Sequence, residues 1–326
     1  MNLIVVDLGG THARFTLAKR LENQIEILQE PIIASTKNHD SLRSAWFKVR
    51  ESLLGMEAQP RQNKAVIAVA SPINEDLITL TNHSWQFKQS SLTTDLELES
   101  CTVINDFAAV AHAIPHLKPH ELLPIDLKPP TAIDQTTHVT IIGMGTGIGV
   151  AHRHQGQVIA TEGGHTGFAP RNDREDRLLA RLRDHFGRLS IERLVSGMGL
   201  SHLIAELNRG DYSPKTHPLE FTPEQNRLDW DHALNRKTEV AIQALDWYCE
   251  LAGTYVGDIA LASGAKTILI GGGLGLRLQT ILPQSQFMAC FNAKGRMTRL
   301  MEQISVQVIT HPQPGLLGAA AVGLEV

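Results

Sequence analysis

At 326 residues and 42% hydrophobic content, the chain is long enough for two domains, or for one large domain with a core of ordinary size. Lys plus Arg at 30 against Asp plus Glu at 34 gives a formal net charge of -4, without the basic excess that a nucleic-acid surface needs. Cys101, Cys249 and Cys290 are scattered with no C-x-x-C pair, and neither a signal peptide nor a membrane-length apolar run occurs, so a soluble protein of the reducing cytoplasm is expected, without a disulfide framework or a cysteine zinc site.

Along the chain, the apolar run from Leu3 to Leu8, the turn Gly9-Gly10-Thr11 and the run over 13–18 read as strand, glycine turn, strand. Leu42, Trp46, Val49 and Leu53 recur at helical spacing and predict a helix over 40–54. An apolar strand follows at 65–69 and ends at Ser71-Pro72. The β-branched run 102–104 stops at Asn105-Asp106, and the alanine-rich stretch 107–114 reads as the next helix, closed by Pro115. Residues 115–137 carry four further prolines and mark the crossing into a second domain.

That domain opens with a second glycine hairpin: an apolar run from Val139, then Gly143-Met144-Gly145-Thr146-Gly147-Ile148-Gly149, then Val150-Ala151-His152. Helices are predicted over 174–186 and 240–262, bracketing a polar segment, 209–227, that reads as a surface excursion. A buried-type strand at 267–270 leads into the cluster 271–275, and Pro314 heads a small-residue helix over 316–324. The two hairpins stand nearly half the chain apart, and strands alternating with helices in two similar halves argue α/β architecture.

Glycines without Cβ atoms let backbone N–H groups approach a bulky anion, so the two turns, each with one threonine (Thr11, Thr146), suit the two ends of a nucleotide polyphosphate. Either turn alone is equally well an ordinary hairpin loop. The dipeptide Gly-Lys is absent, which excludes a P-loop, and so is a strict G-x-G-x-x-G. Asp7 would be repelled by phosphate unless a divalent cation intervened, so it is expected to face hydrated Mg2+ on the nucleotide; its plain alternative is a turn cap. Asn105-Asp106 suits a helix N-cap, yet lies where open α/β sheets place ligand groups, at the carboxyl end of a strand. There Asp106, kept ionised by the helix dipole, would accept the proton of an attacking sugar hydroxyl, with Asn105 holding another. Glu162-Gly163-Gly164-His165 and Glu192 offer acceptors and a donor for vicinal hydroxyls; taken singly, Glu192 and His165 read as surface residues, and a metal site lacks an H-E-x-x-H or a second histidine at helical spacing. The 271–275 glycines would pass under an adenine or ribose, or merely form a tight strand-to-helix turn.

These motifs in order resemble the bacterial glucokinase family: Asp7-Leu8-Gly9-Gly10-Thr11, Thr81-Asn82-His83-Ser84-Trp85, Ile104-Asn105-Asp106-Phe107, the second glycine turn, Glu162-Gly163-Gly164-His165, Glu192-Arg193-Leu194-Val195-Ser196-Gly197, Gly271-Gly272-Gly273 and Pro314-Gly315-Leu316-Leu317-Gly318. The resemblance spans essentially the whole chain. It implies a duplicated actin/hexokinase-like (ribonuclease H-like) α/β fold, two α/β domains flanking a cleft: a small one over 1–115 completed by a C-terminal helix over 312–326, and a large one over 116–311. It further implies a cytoplasmic, often dimeric enzyme that phosphorylates glucose at its 6-hydroxyl with ATP and Mg2+. Asp106 matches the catalytic base, and Asn105, Glu162, His165 and Glu192 match the sugar ligands. Asp7, Leu8, Gly9, Gly10, Thr11, Gly145, Thr146, Gly147 and Gly272 fall to the nucleotide, with Asp7 meeting Mg2+ through bound water. His12 departs from the family's usual Asn, Gly167 from a frequent Asp, and Met144 from a smaller residue or proline. No cysteine lies near His165, unlike the sister group of sugar kinases and repressors with its zinc motif. A kinase for mannose or an amino sugar, or a non-catalytic sugar sensor, are the competing expectations; a DNA-reading repressor would need a module for which no N-terminal room is expected before Asp7.

Overall fold

Side chains alternate across a strand, and the first strand shows the consequence. In β1 (Leu3–Leu8), Leu3 and Val5 are buried on one face of the sheet and Ile4, Val6 and Leu8 on the other. This computed structural model describes residues 2–22, 24–55, 63–73, 75–80, 83–126, 133–134, 136–208 and 220–324. β1 turns antiparallel into β2 (His12–Leu21), with Asp7 opposite Arg14, and β2 pairs with both β3 (Gln24–Ile27) and β4 (Ile32–Ser35). α1 (Leu42–Leu54) is capped by the Ser41 side chain, which accepts from the Ser44 N–H. It lays Leu42, Ala45, Trp46, Val49 and Leu53 on the Ile4/Val6/Leu8 face. β5 (Lys64–Val69) adds in parallel beside β1. After the small hairpin β6 (Leu77–Thr79) and β7 (Gln86–Lys88) and the short α2 (Leu92–Asp95), β8 (Ser100–Asn105) adds in parallel beside β5 and runs straight into α3 (Asp106–Ala113).

The second half repeats this plan. β9 (Leu122–Pro124) precedes the meander β10 (Val139–Met144), β11 (Ile148–His154) and β12 (Gln157–Thr161). A helical layer follows: α4 (Asp173–Phe186), α5 (Glu192–Val195), α6 (Gly199–Asn208), α7 (Pro223–Leu234) and the long α8 (Glu239–Ser263). Then come β13 (Thr267–Gly271), α9 (Gly272–Leu278), α10 (Phe287–Asn292), α11 (Thr298–Met301), β14 (Ser305–Ile309) and α12 (Pro314–Leu324). The sheets run β3-β2-β1-β5-β8 and β12-β11-β10-β13-β14, with identical strand senses position by position, and β9 closes the second sheet beside β14. The fold is the duplicated, actin-like α/β architecture expected.

The two halves exchange their last helices. α3 leaves the first sheet and sets its Ala111, together with the Ile114 that follows it, against Val139, Ile141, Ala151 and Leu269 of the second. α12 leaves the second sheet and sets Leu316, Ala319 and Ala320 against Leu3, Val5, Val66 and Ala68 of the first. Where the helices meet, a Cβ on Gly318 would stand 1.6 Å from the Ala109 carbonyl oxygen, so the small-residue face of α12 sets the distance between them.

Several sequence expectations shift. α3 begins at Asp106, one residue early, because Asn105 is the cap. The proline-rich stretch after Pro115 is not all connection, since β9 is drawn from it. Of the polar segment 209–227, residues 223–227 already belong to α7, while 209–219 lie outside the described residues, as do Thr81 and Asn82. β14 and the helices α5 to α7 were not anticipated. β14 alternates polar and apolar residues, Ser305-Val306-Gln307-Val308, a strand pattern that was passed over, and its polar Ser305 and Gln307 are buried as well.

Gly318→Val should force α3 and α12 apart at the point that joins the halves. A loss of roughly 1–3 kcal/mol is expected, as for other overpacked contacts, read as a lower denaturant midpoint; an unchanged midpoint would mean that the helices separate freely.

Candidate active site

Asp106 is the first residue of α3, at the carboxyl end of β8. Asn105 holds the helix start: its side-chain oxygen accepts from the N–H groups of Phe107 (3.0 Å) and Ala108 (3.1 Å), and its amide donates to the Ser71 carbonyl (3.3 Å). One amide N–H of Asn105 remains for a ligand. Asp106 Oδ1 accepts from the Phe107 N–H at 2.9 Å. The expectation that the helix start keeps this carboxyl readily ionised is corrected. Burial and then the negative charge of Asp7 push its pKa up to about 7, with Glu162 adding to the rise and the Phe107 N–H opposing it.

Those neighbours come from both sheets. Asp7 is the penultimate residue of β1 rather than part of the turn, on the same face as Leu3 and Val5, and a Cβ on Gly315 at the head of α12 would lie 3.9 Å from its carboxyl. Arg14 Nη1 donates to Asp7 Oδ2 at 3.0 Å across the hairpin, and the side chains are 33% and 24% exposed. Burial raises the Asp7 pKa and Arg14 opposes the rise. From the second half, His165 Nε2 lies 3.8 Å from Glu162 Oε2, and His165 Nδ1 lies 3.9 Å from Glu192 Oε1. Glu192 is fixed from behind, because its Oε2 accepts from the Ile148 N–H at 2.8 Å. Glu162 and His165 are exposed, so three predicted sugar ligands converge on solvent-accessible space that Asp106 also feels.

The glycine turns carry two kinds of work. In the first, the Gly9 N–H donates to the His12 carbonyl, while the carbonyls of Gly10 and Thr11 accept from Thr36. Among the described residues, the N–H groups of Gly10 and Thr11 have no protein acceptor. In the second, Gly145 is closed on Gly147 and on the Gly197 N–H, Thr146 is exposed, and a Cβ on Gly147 would stand 2.6 Å from Glu192 Oε2. Cβ atoms on Gly143 and Gly149, which face each other in the ladder, would penetrate the ring of Phe107 at 1.6 and 1.8 Å. These glycines therefore seat the residue next to Asp106.

Two residues of the expected nucleotide set have other duties: Leu8, and Gly145, whose N–H and carbonyl are both spent within the protein. Leu8 is fully buried under α1 and its carbonyl accepts from Ala70, which withdraws it from any ligand. Gly272, at φ +83° and with no room for a Cβ beside the Met144 carbonyl oxygen at 2.3 Å, forms the tight strand-to-helix turn and is exposed, so its backbone stays open to a ligand. Arg14 was missed, though pairing Leu8 with Ala13 brings it opposite Asp7. Thr36 was missed for want of any local pattern. Gly167 borders a cavity of about 200 Å³ between residues 166–169, Ile191 and α8. No group of three metal-ligating side chains occurs among the described residues.

The family model described as Glucokinase matches residues 4–325. A glucokinase of Zymomonas mobilis is 42% identical over 325 residues, which are 98% of this chain and 97% of that protein. A solved glucokinase from an Antarctic psychrotroph aligns with a TM-score of 0.80 at 30% identity, covering 98% of both chains. A glucokinase from Balamuthia mandrillaris in complex with glucose aligns at 0.78 with 21% identity, covering 98% of this chain and 93% of that one.

The raised pKa of Asp106 makes a stability prediction. The folded state holds this proton to about pH 7 and the unfolded chain releases it near pH 4, so the carboxyl costs stability progressively as pH rises between those values. Asp106→Asn should unfold at higher denaturant than the parent at pH 8, with the gap closing below pH 4. An equal gap at both pH values would show that burial does not penalise the charge.

Proposed function

Because the chain belongs to the glucokinase family and is an ATP-dependent sugar kinase, we propose that Asp106 is the base that takes the proton of the glucose 6-hydroxyl as its oxygen attacks the γ-phosphorus of ATP. The observation that carries this reading is the place of the buried Asp106 carboxyl at the carboxyl end of β8 and the start of α3, in electrostatic reach of Asp7 of the first half and Glu162 of the second, with its pKa lifted to about 7. A base that changes state near the working pH combines availability with driving force for proton transfer. Phosphoryl transfer has a loose transition state, so the proton leaves late and the protein's work is to align the oxygen with the phosphorus.

Glu162, His165 and Glu192 hold the sugar. Carboxylates accept from vicinal hydroxyls, the imidazole donates, and the remaining N–H of Asn105 binds beside the base. The spacing of His165 from both glutamates, just under 4 Å, leaves each side chain free to turn to a hydroxyl. On the other side, the N–H groups of Gly10 and Thr11 face the phosphates, aided by Thr146 and Gly147, and Arg14 supplies positive charge; the Gly145 N–H is spent on the Gly147 carbonyl and shapes that turn instead. Asp7 Oδ2 is committed to Arg14, which leaves Oδ1 to accept from a water of hydrated Mg2+. This fits an ion held mainly by the nucleotide, since the described residues build no cage for it. When bound, Mg2+ neutralises charge on the phosphates.

We take residues 1–115 with 312–326 as one moving unit and 116–311 as the other; the seating of α12 on the first sheet supports this. Closure would exclude water, the competing acceptor. Among the described residues no helix is long and apolar enough to cross a membrane, and the three cysteines are free, in keeping with a reducing cytoplasm. Pairing into a homodimer rests on family likeness and is read by sedimentation.

Asp106→Ala should lower kcat by roughly 10²–10⁴ in an ADP-coupled assay while glucose binding, followed calorimetrically, persists. Turnover near the parent's would remove Asp106 from the chemistry. In the parent, kcat/KM should fall about tenfold per pH unit below 7 as the base protonates, and a flat profile from pH 5 to 8 would contradict that role. Glu192→Gln should raise KM for glucose more than KM for ATP, because it still caps Ile148 poorly but no longer presents a charged acceptor to the sugar.

A further inference from the structure

Thr36 follows β4 directly and is fully buried. The pairing of Ser35 with His12 brings it beneath the first glycine turn. Its hydroxyl donates to the Gly10 carbonyl at 2.8 Å, and its own N–H donates to the Thr11 carbonyl at 3.0 Å. One residue thus grips two successive peptide groups of the turn from the same side.

In a planar trans peptide the N–H points opposite to the C=O. Holding the Gly10 carbonyl inward therefore sends the Thr11 N–H outward, and holding the Thr11 carbonyl inward does the same for the His12 N–H. The turn needs such a hold, because glycine permits either orientation of the peptides that flank it. A flipped Gly10–Thr11 peptide would present a carbonyl oxygen where a phosphate oxygen has to bind, replacing attraction by repulsion.

The grip is itself anchored. Thr36 opens a single helical turn in which the His39 N–H donates to the Thr36 carbonyl, and the indole of the buried Trp85 donates to the His39 carbonyl at 3.0 Å. The first glycine turn is thereby tied through Thr36 to the core around α1.

We propose that Thr36 is a positioning residue for the nucleotide: it holds back the carbonyls of Gly10 and Thr11 so that the turn presents donors to the phosphate chain. The proposal rests on the reading that this turn binds phosphate, and Thr36 itself touches no substrate.

The test uses the full-length enzyme with Thr36→Val, which keeps the shape and removes the donor, and Thr36→Ser, which keeps the donor. KM for ATP should rise roughly tenfold in Thr36→Val, the size of one lost hydrogen bond, with KM for glucose within twofold of the parent. Thr36→Ser should restore the ATP value. A parental KM for ATP in Thr36→Val overturns the proposal, as does an equal rise in both KM values that serine does not rescue, which would mark general loosening. Amide hydrogen exchange over residues 9–12, with and without AMPPNP, separates the two readings. Protection in the parent with unchanged kinetics in Thr36→Val sinks the grip alone, whereas absence of protection in the parent sinks phosphate binding at this turn and the grip with it.

Discussion

The reciprocal exchange of α3 and α12 is the constraint on which the rest of the molecule depends. Each half ends its sheet on a strand, β8 or β14, and then sends the following helix across to cover the other sheet. The crossing is close because Gly318 has no Cβ to keep the Ala109 carbonyl away. A helix that leaves one sheet to pack on another begins between them, so Asp106 and Pro314 both start at the junction of the halves. The Asp106 carboxyl stands where both halves reach it because the exchange puts its helix start there.

That location explains the electrostatics. A carboxyl at an exposed helix start is favoured in its charged form by the N-terminal dipole. At Asp106 two things outweigh the dipole: water is displaced by the packing of both sheets, and Asp7 brings like charge from the first sheet with Glu162 from the second. Asn105 limits the damage to the fold by satisfying the Phe107 and Ala108 N–H groups itself. Capping and chemistry are thus divided between adjacent residues, and the second oxygen of Asp106 is spared from structural duty.

Much of this was legible in the residues alone. The glycine hairpins, the apolar strands at 65–69 and 267–270 and the Asn105-Asp106 corner announce themselves through local pattern, and their order marks the duplicated fold. Glu162, His165 and Glu192 were found by residue type, and the structure sets His165 within 4 Å of both glutamates. What stayed hidden depends on contact across long stretches of chain. Thr36 acts through backbone carbonyls 25 and 26 positions away in a segment without periodicity. β14 does alternate, Ser305-Val306-Gln307-Val308, but that its polar face is buried as well comes only from the packing around it. The role given to Leu8 failed for the opposite reason: membership in a motif does not say whether a residue faces the ligand or the core.

The duplication also shows how two copies of one hairpin came to differ. Asp7 in β1 and Gly143 in β10 occupy equivalent places, on the strand face that looks toward an exchanged helix, each with a cross-strand partner. In the first half that pair is Asp7 with Arg14, an ion pair beside the head of α12. In the second it is Gly143 with Gly149, and the space of both missing side chains is taken by Phe107 at the head of α3. Charge at the first position would suit a polyanion with its cation under the proposed function, while the empty second position lets an aromatic ring lock the start of α3. A side chain at Gly143 would expel Phe107 and displace the neighbouring Asp106, and an apolar pair at 7 and 14 would strip the phosphate side of its charges. The two hairpins share a backbone plan, but their facing pairs are no longer interchangeable, and that asymmetry is what turns a repeated fold into one active site with a donor side and an acceptor side.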